Sequence, residues 1–461
     1  MISPISSMNP TSPFDIRAFG AVADDTRVNT AEIQAAIDAC ASAGGGTVLV
    51  TGGVFLTGTL ILKSRIHLHI ESGSVLKGSL DIREYARDCG KNMYRGEPEM
   101  DRCLLFARDA EQLSFSGGGV IDGNGAAFPN ADDPERNRPM LLRLIDCRDI
   151  HLRDLTLRDP AGWTSAWLYC RHITVDGIRI HSRVNDNGDG LDFDGCTDVR
   201  VANSSFDTSD DCICLQTSRP DKPCTDITVT NCTFCSKWAG LRIGLLSRGD
   251  FDGVCVSNCV FHDIQDAGLK IQVCEGGDMR NMSFSNLVMR RVPRPVFMTL
   301  GRQRCCVDAP EGLPPLGKLR RISFHGLHID NSELGPDSHF VLTGLPGACI
   351  EDVSFSGVRL WSAGGGVVGG LVPELTPENL HGHWPEYFCF QEPLPASGLY
   401  ARHVRNLRLE DVDFRTEMPD ARPAVVLEDV TQNMNEKDHF EEHPAQDAPP
   451  PYLLQPPMGG V

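Results

Sequence analysis

A short motif that recurs along the chain constrains its fold more than any other feature. The motif is a strand of alternating apolar residues, then Asn, Asp or Gly, then a second apolar pair. Its copies are DIHLRDLTL from Asp149, HITVDGIRI from His172, DVRVANSSF from Asp198, DITVTNCTF from Asp226, GVCVSNCVF from Gly253 and NMSFSNLVM from Asn281, with weaker copies from Arg321, Asp352 and Asn406. The six clear copies begin 23 to 28 residues apart. Self-similarity with a period in the twenties is typical of a solenoid.

The period and the residue pattern together predict an all-β fold, a single-stranded right-handed parallel β-helix. Alternation of apolar and polar residues within each copy indicates a half-buried strand, and one copy per coil gives a stack of coils. A leucine-rich repeat has a similar period, but its spaced leucines are absent and no helix recurs in each unit. A propeller would need blades of about 40 residues.

The ends of such a stack expose unpaired strand edges and need caps. Asn29 with Glu32 three residues later resembles a capping box, and the helix formers from Ala31 to Cys40 are followed by Gly44 to Gly46. We therefore expect an N-terminal capping helix. The expected division of the chain is an N-terminal extension over 1–13, the β-helix catalytic domain over 14–430 and a Pro-rich tail over 431–461 that is disordered or wraps the last coil.

The charge composition of the chain limits the kinds of partner that it can bind. The chain has 43 basic and 62 acidic residues, a net charge of −19, which argues against nucleic acid or an anionic membrane surface as a partner. No uncharged apolar run reaches the roughly 18 residues of a membrane span. Because the first 15 residues lack the features of a secretory signal, we expect a cytoplasmic protein, or a secreted one if a signal was removed.

The 18 cysteines are expected to be reduced and buried, as in most long chains without a secretory signal. Cys232 and Cys235 have the CxxC spacing, but no second pair completes a zinc set. We therefore expect neither a metal nor a cofactor.

A second strand follows the first in each coil, and its copies from successive coils align residue by residue. The copies are DGLDFD from Asp189, DCICLQ from Asp211, AGLRIG from Ala239 and AGLKIQ from Ala267. Their third and fifth residues are apolar and point inward, so the residues between them point outward. Outward residues of neighbouring coils then form ladders with a spacing of about 4.8 Å. The two predicted ladders are Asp192, Cys214, Arg242 and Lys270, and Asp194, Gln216, Gly244 and Gln272.

Three carboxylates meet where these strands begin, since Asp189 stacks beside Asp211 and Asp210 directly precedes it. Crowded carboxylates raise one another's proton affinity. Glycoside hydrolysis requires one acid that is protonated and a partner that is ionised, and such crowding can provide both. Aspartates are also common turn residues. Their convergence beside Arg242 and Lys270 favours catalysis by Asp189, Asp210 and Asp211.

At these residues the sequence resembles the polygalacturonase family, glycoside hydrolase family 28. The resemblance is carried by FDIRAFGAVADDTRVNTAEIQAAIDACASAGGGTVLV from Phe14, GGGVIDGNG from Gly117, NGDGLDFDGC from Asn187, SDDCICLQT from Ser209 and LPASGLYARHVRNLRLEDV from Leu394. It implies a pectin-lyase-like solenoid and an inverting hydrolase, with Asp210 as general acid and Asp189 and Asp211 holding the water. The substrate is then a pectin-like polysaccharide or oligosaccharide, and the expected substrate-binding residues are Asn187, Asp192, Arg242, Lys270 and Gln272.

Two motifs of the family are altered. Where relatives have Gly-His-Gly, this chain has Trp238, Ala239 and Gly240, and the Arg-Ile-Lys motif that contacts a uronate carboxylate reads Lys270, Ile271 and Gln272. We therefore expect weak action on unbranched homogalacturonan and better action on a rhamnogalacturonan-type or modified oligosaccharide. Arg242 is expected either to grip a sugar carboxylate or hydroxyls, or to pair with Asp192.

A long insertion from Gly364 to Tyr400 interrupts the coil spacing. Its aromatic and imidazole side chains include His381, His383, Trp384, Tyr387, Phe388 and Phe390. The aromatic rings either stack on sugar or pack the loop onto the coils. Two other functions stay open: a polysaccharide lyase on the same fold, and a non-catalytic carbohydrate-binding β-helix.

Overall fold

The fold is seen in a computed structural model that describes residues 12–128, 137–369, 372–390 and 393–434 and the short strands at 439–440 and 452–455. The named strands in these segments all pair in parallel, each with a strand of the next coil. Each coil has three strand positions, so the strands stack into three faces. The predicted all-β parallel β-helix is confirmed.

The faces are numbered in the order in which the chain passes through them. The strands of the first face are Phe14–Asp15, Gly46–Val50, Ile66–Ile70, Glu111–Ser116, Arg148–Arg153, Arg171–Asp176, Thr197–Ala202 and Cys224–Thr230. Those of the second face are Val54–Thr57, Val75–Gly78, Val120–Asp122, Thr156–Arg158, Arg179–Ser182, Ser205–Thr208 and Thr233–Ser236. Later coils join both faces in the continuous strands Phe251–Ile264, Asp278–Arg290, Lys318–Asn331 and Ile350–Ser362.

The third face carries the second strands predicted from the sequence. Its strands are Leu60–Ile61, Cys103–Arg108, Met140–Ile145, Ser165–Leu168, Leu191–Asp194, Ile213–Thr217, Ala239–Ser247, Ala267–Val273, Arg294–Leu300 and Phe340–Thr343. The strand Leu399–Thr416 begins on this face and continues through the other two. Near the C-terminus follow Val425–Met434, His439–Phe440 and Tyr452–Gln455.

A left-handed residue between the first and second faces explains why Asn, Asp or Gly recurs in every copy. The backbone φ is 56° at Asp154, 55° at Asn203, 54° at Asn231, 57° at Asn258 and 53° at Asn286. Gly177, Gly326 and Gly357 occupy the same place in other copies and also have positive φ. This conformation costs most residues about 1–2 kcal/mol but is readily adopted by Gly, Asn and Asp.

The interior of the coils is filled by stacked apolar side chains. The ring centroid of Phe234 lies 5.2 Å from that of Phe206 and 4.7 Å from that of Phe261. A second stack further along consists of Phe284, Phe324 and Phe355. The 18 cysteines are free thiols, and all except Cys235, Cys255 and Cys349 are buried.

The predicted capping helix is present as Thr30–Ser42, and its Ile33, Ala36, Ile37 and Cys40 are buried. The predicted capping box is wrong, because the Asn29 side chain makes no hydrogen bond to the helix. Its amide instead donates to the Arg27 carbonyl and accepts from the Val22 backbone N–H, while Glu32 pairs with Arg27 at 2.6 Å. Asn29 therefore fixes the loop before the helix. The shorter helices are Pro377–Leu380 and the 3₁₀ turns Ile16–Phe19, Ile82–Glu84, Gly125–Ala127 and Tyr387–Phe390.

The predicted division of the chain stays a prediction at both ends. Most of the proposed extension over 1–13 and much of the proposed tail over 431–461 lie outside the described residues. The strand Val425–Met434 crosses the boundary placed at residue 430, and Tyr452–Gln455 pairs with it. In the described segments no helix has the length and apolar character needed to span a membrane.

The left-handed turn predicts a specific stability difference at the exposed residue Asn231. Asn231→Val should lower the free energy of unfolding by about 1–2 kcal/mol, because a β-branched residue is strained at positive φ. Asn231→Gly should stay within about 0.5 kcal/mol of the native protein. Urea unfolding followed by circular dichroism measures both, and equal effects of Val and Gly would contradict the role given to this turn.

Candidate active site

The third face brings the predicted site residues together through the register of its strands. Asp192 pairs with Cys214, Cys214 with Arg242, and Arg242 with Lys270. The first predicted ladder is therefore confirmed. Its members alternate with the inward residues, so each side chain points away from the core.

The second predicted ladder is confirmed between Asp194 and Gln216 and is wrong at Gly244. The register shifts after the pair Leu215 and Ile243, and the next pair is Thr217 and Ser247, so the longer strand has residues 244–246 where its neighbour has Gln216 alone. Gly244 consequently does not stack on Gln216. The displaced segment lines a cavity instead, so the irregularity adds backbone and leucine side chains to the site.

The cavity in front of the ladder has a volume of about 260 Å³. Five predicted site residues line it, Asn187, Asp189, Asp210, Asp211 and Arg242. The other three predicted substrate-binding residues, Asp192, Lys270 and Gln272, are buried behind this lining. They can act on a ligand through their neighbours, whereas the first five can touch it.

The three catalytic candidates converge as predicted. One carboxylate oxygen each of Asp189, Asp210 and Asp211 lies within 4.8 Å of the others. The Gly190 backbone N–H donates to the Asp211 carbonyl at 2.9 Å, which holds the two coils in register beside the acids. Ser236 Oγ donates to the Asp210 carbonyl at 2.6 Å and fixes the backbone of the pair.

The environment separates the proton affinities of these acids. Burial, assisted by the neighbouring Asp211 carboxylate, raises the pKa of Asp210 to about 7. Burial also raises the pKa of Asp189 well above its usual range, with the charge of Asp210 adding to the effect. Burial raises the pKa of Asp211 too, but Arg242 and Lys270 oppose this change. Asp210 can therefore carry a proton near neutrality beside a carboxylate that has a cation partner.

The same three aspartates have the spacing of a cation site. Carboxylate ligands must be deprotonated to bind a metal, so a cation there would compete with the protons that burial favours on Asp189 and Asp210.

Arg242 contacts other acids than Asp192, the partner considered from the sequence. Its guanidinium lies 3.3 Å from Asp211 Oδ2 and 2.8 Å from Glu386 Oε1, and it donates to Gln272 Oε1 at 2.9 Å. Neither oxygen of Asp192 has a hydrogen-bond partner among the described residues.

Lys270 is fully buried and makes two ion pairs. Its ammonium group lies 2.7 Å from Asp266 Oδ2 and also contacts Glu386 Oε2. The nitrogen sits 4.4 Å from the ring centroid of Trp238, which directly precedes Ala239, the residue at the place of the family histidine. Gln272 donates to the Pro385 carbonyl at 2.8 Å, so both side chains hold the insertion.

Asn187 lies at the rim of the cavity with a left-handed backbone, φ 51°. Its side-chain oxygen accepts a hydrogen bond from Arg138 Nη2 at 2.8 Å. This hydrogen bond restrains the orientation of the Asn187 side chain at the cavity.

Two acids of the cavity were missed from the sequence, Glu97 and Glu386. Burial raises the pKa of Glu97 to about 8, and the charge of Asp210 contributes. Both acids lie in irregular segments outside the coil period, so the ladder pattern gave no signal for them. For Glu386 the available signal was the aromatic insertion that carries it.

The aromatic residues of the insertion form two groups, one at the cavity and one packed on the coils. Trp384 and Phe388 line the cavity, whereas Tyr387 and Phe390 pack against Phe297 of the third face. The remaining aromatic lining consists of Tyr94, Trp163 and Trp238. His381 and His383 are exposed on the insertion.

Comparison with known proteins agrees with this geometry. The family model described as glycosyl hydrolases family 28 matches residues 40–307. An exopolygalacturonase of Oenothera organensis is 28% identical over 307 residues, which cover 63% of this chain and 78% of the relative.

Two solved structures share the fold. The family 28 exopolygalacturonase of Yersinia enterocolitica aligns with a TM-score of 0.70 and 20% identity over 93% of this chain and 79% of its own. The exopolygalacturonase of Thermotoga maritima aligns with a TM-score of 0.63 and 20% identity over 80% of this chain and 90% of its own.

The unpartnered Asp192 generates a stability prediction. Burial and the charge of Asp211 raise its pKa well above its usual range. Because the folded-state pKa exceeds the unfolded one, the folded protein loses stability as pH rises through the interval between them. Asp192→Asn removes this loss, so its effect on the free energy of unfolding should be more favourable at pH 8 than at pH 5.

Thermal and urea unfolding at the two pH values test this expectation. The control is Asp221→Asn, which changes an exposed aspartate paired with Arg219 and should have an effect within about 0.5 kcal/mol at either pH. A pH-independent effect of Asp192→Asn would mean that this carboxyl does not hold its proton in the folded state.

Proposed function

Because the chain belongs to glycosyl hydrolases family 28, we propose that it hydrolyses an O-glycosidic bond in a pectin-like polysaccharide or oligosaccharide by an inverting mechanism. The observation that carries this proposal is the pairing of Asp210, with a pKa of about 7, and Asp211, held by Arg242, in one cavity. The relatives support the substrate class, since polygalacturonases recur among them.

In the proposed reaction Asp210 donates its proton to the glycosidic oxygen as the bond from that oxygen to the anomeric carbon breaks. A water held by Asp189 and Asp211 attacks the anomeric carbon from the opposite face, and its proton passes to the carboxylate that holds it. Arg242 favours the ionised form of Asp211 and also orients it, because the guanidinium is itself fixed by Gln272 and Glu386.

The spacing of the acids bears on whether the anomeric configuration is inverted or retained. Inverting hydrolases commonly separate acid and base by about 6.5–9.5 Å, and retaining ones by about 5–5.5 Å. The nearest oxygens here lie within 4.8 Å. Our proposal of inversion follows the family resemblance, which implies one proton donor and two acids that hold the water.

A polysaccharide lyase would need a free base and a cation that neutralises the uronate. Lys270 is the basic residue considered for that reaction, and it is buried in contact with Asp266 and Glu386. These contacts favour the hydrolase. Lyase products absorb ultraviolet light, so absorbance during turnover separates the two reactions.

Asp210→Asn should lower hydrolysis of pectic oligosaccharides by at least about 100-fold, since the amide keeps the shape of the side chain and cannot donate the proton. In the native enzyme activity should fall as pH rises through about 7, because Asp210 then loses its proton. Release of reducing ends between pH 5 and 9 measures both effects. Asp221→Asn is the matched control, and turnover by Asp210→Asn at the native rate would contradict the acid role.

The first sugar released should have the anomeric configuration opposite to that of the substrate bond. Proton NMR spectra recorded in the first minutes of hydrolysis, before mutarotation, distinguish the two anomers. Initial appearance of the retained anomer would rule out the single displacement and identify one aspartate as a nucleophile.

A further inference from the structure

The Glu386 carboxylate contacts Arg242, which lines the cavity, and Lys270, which is buried behind the lining. Glu386 lies in the insertion, between the two aromatic residues Trp384 and Phe388 that line the cavity. It is 2% exposed. One of its oxygens accepts from Arg242 at 2.8 Å and the other contacts Lys270. A side chain from an irregular loop is thus bound by two cations of the third face.

The two cations have no charge left to offer a ligand. Arg242 also contacts Asp211, and Lys270 also contacts Asp266. Arg294 lies 3.2 Å from Asp266 as well, so three positive charges face three carboxylates among largely buried groups. A further carboxylate brought by a substrate would have to displace one of these internal partners.

The described lining of the cavity offers no unpaired cation to a negatively charged ligand. Its acidic members are Glu97, Asp189, Asp210, Asp211 and Glu386, and the one cationic side chain among the described lining residues is Arg242. Aromatic rings form much of the remaining wall. Tyr94 connects them, since its ring centroid lies 6.4 Å from that of Trp163 and 5.6 Å from that of Trp384. Such a surface favours the apolar face of an uncharged sugar ring.

We propose that Glu386 is a specificity-determining residue that fills the Arg242–Lys270 cation pair with a carboxylate of the protein, so that the cavity accepts an uncharged sugar and excludes a uronate. This inference rests on the proposed function only in taking the ligand to be a sugar. Beyond the proposed function, the inference specifies that the sugar bound in the cavity is uncharged. In a pectic substrate the residue in the cavity is then one of the neutral sugars, which agrees with the weak action expected on homogalacturonan.

The test compares two sugars that differ in a single group. D-galactose and D-galacturonate share their ring configuration, but one has a hydroxymethyl group where the other has a carboxylate. Binding is measured through the fluorescence of the cavity tryptophans and confirmed by calorimetry. Wild type should bind galactose more tightly than galacturonate by about tenfold or more, because like charges repel in a desolvated site.

Glu386→Gln keeps the shape of the side chain and removes its charge, which releases Arg242 and Lys270. Galacturonate affinity should rise by about tenfold or more relative to wild type, while galactose affinity should change by less than about threefold. Glu378→Gln is the matched control, since Glu378 is an exposed glutamate of the same insertion, and it should leave both affinities unchanged.

Two results would overturn the inference: wild type that binds galacturonate as tightly as galactose, or a folded Glu386→Gln variant that gains no affinity for galacturonate. If Glu386→Gln does not fold, as its circular dichroism would show, the comparison of the two sugars on wild type decides alone, and failure of wild type to prefer galactose counts against the inference. Because these measurements require no turnover, they separate this inference from the proposed function. If wild type hydrolyses none of the pectic oligosaccharides but shows the expected binding pattern, the proposed hydrolase function is rejected and the role of Glu386 is kept.

Discussion

The hydrogen-bonded stacking of one coil on the next is the constraint on which the rest of this structure depends. It places each outward side chain about 4.8 Å from its counterpart in the neighbouring coil, whatever charge that side chain carries. Asp189 and Asp211 occupy neighbouring coils, so the backbone brings their carboxylates together at a cost that the side chains cannot relax away. The protein offsets that cost by retaining protons on Asp189 and Asp210 and by placing Arg242 two strands along the face. The raised pKa values of Asp189 and Asp210 thus come first from burial and then from the neighbouring carboxylates that coil stacking brings close.

The cations that offset the acids are themselves buried and need partners. A buried ion pair that loses one member leaves an uncompensated charge, which commonly costs about 3–5 kcal/mol. Arg242 is therefore not free to bind substrate, because its guanidinium already donates hydrogen bonds to Asp211, Gln272 and Glu386. The same contacts that stabilise the network also fix the orientation of Asp211. Stability and catalytic geometry are here properties of one set of hydrogen bonds.

Sequence periodicity predicted the features that repeat and missed those that do not. Three features follow from a pattern that repeats every 23 to 28 residues: the recurring Asn, Asp and Gly positions, the outward ladder from Asp192 to Lys270 and the cluster of aspartates. The ladder through Gly244 failed because the strand there is longer than its neighbour, which a strict period cannot express. Glu386 was missed because its partner Arg242 is 144 residues away and lies on another element. The capping box failed because burial gave the Asn29 amide other partners.

A solenoid can change its ligand through its loops at lower cost than through its coils. Replacing Lys270 would disturb its pair with Asp266 and its contact with the Trp238 ring, both inside the packed face. A carboxylate carried by the insertion changes the charge presented to a ligand and leaves the coil register untouched. The insertion is held by Gln272 through the Pro385 carbonyl and by aromatic packing of Tyr387 and Phe390, so Glu386 approaches the cations from a rigid support. Catalytic acids set by the coils and sugar charge set by a loop can then vary separately, even though their carboxylates share Arg242 as a partner.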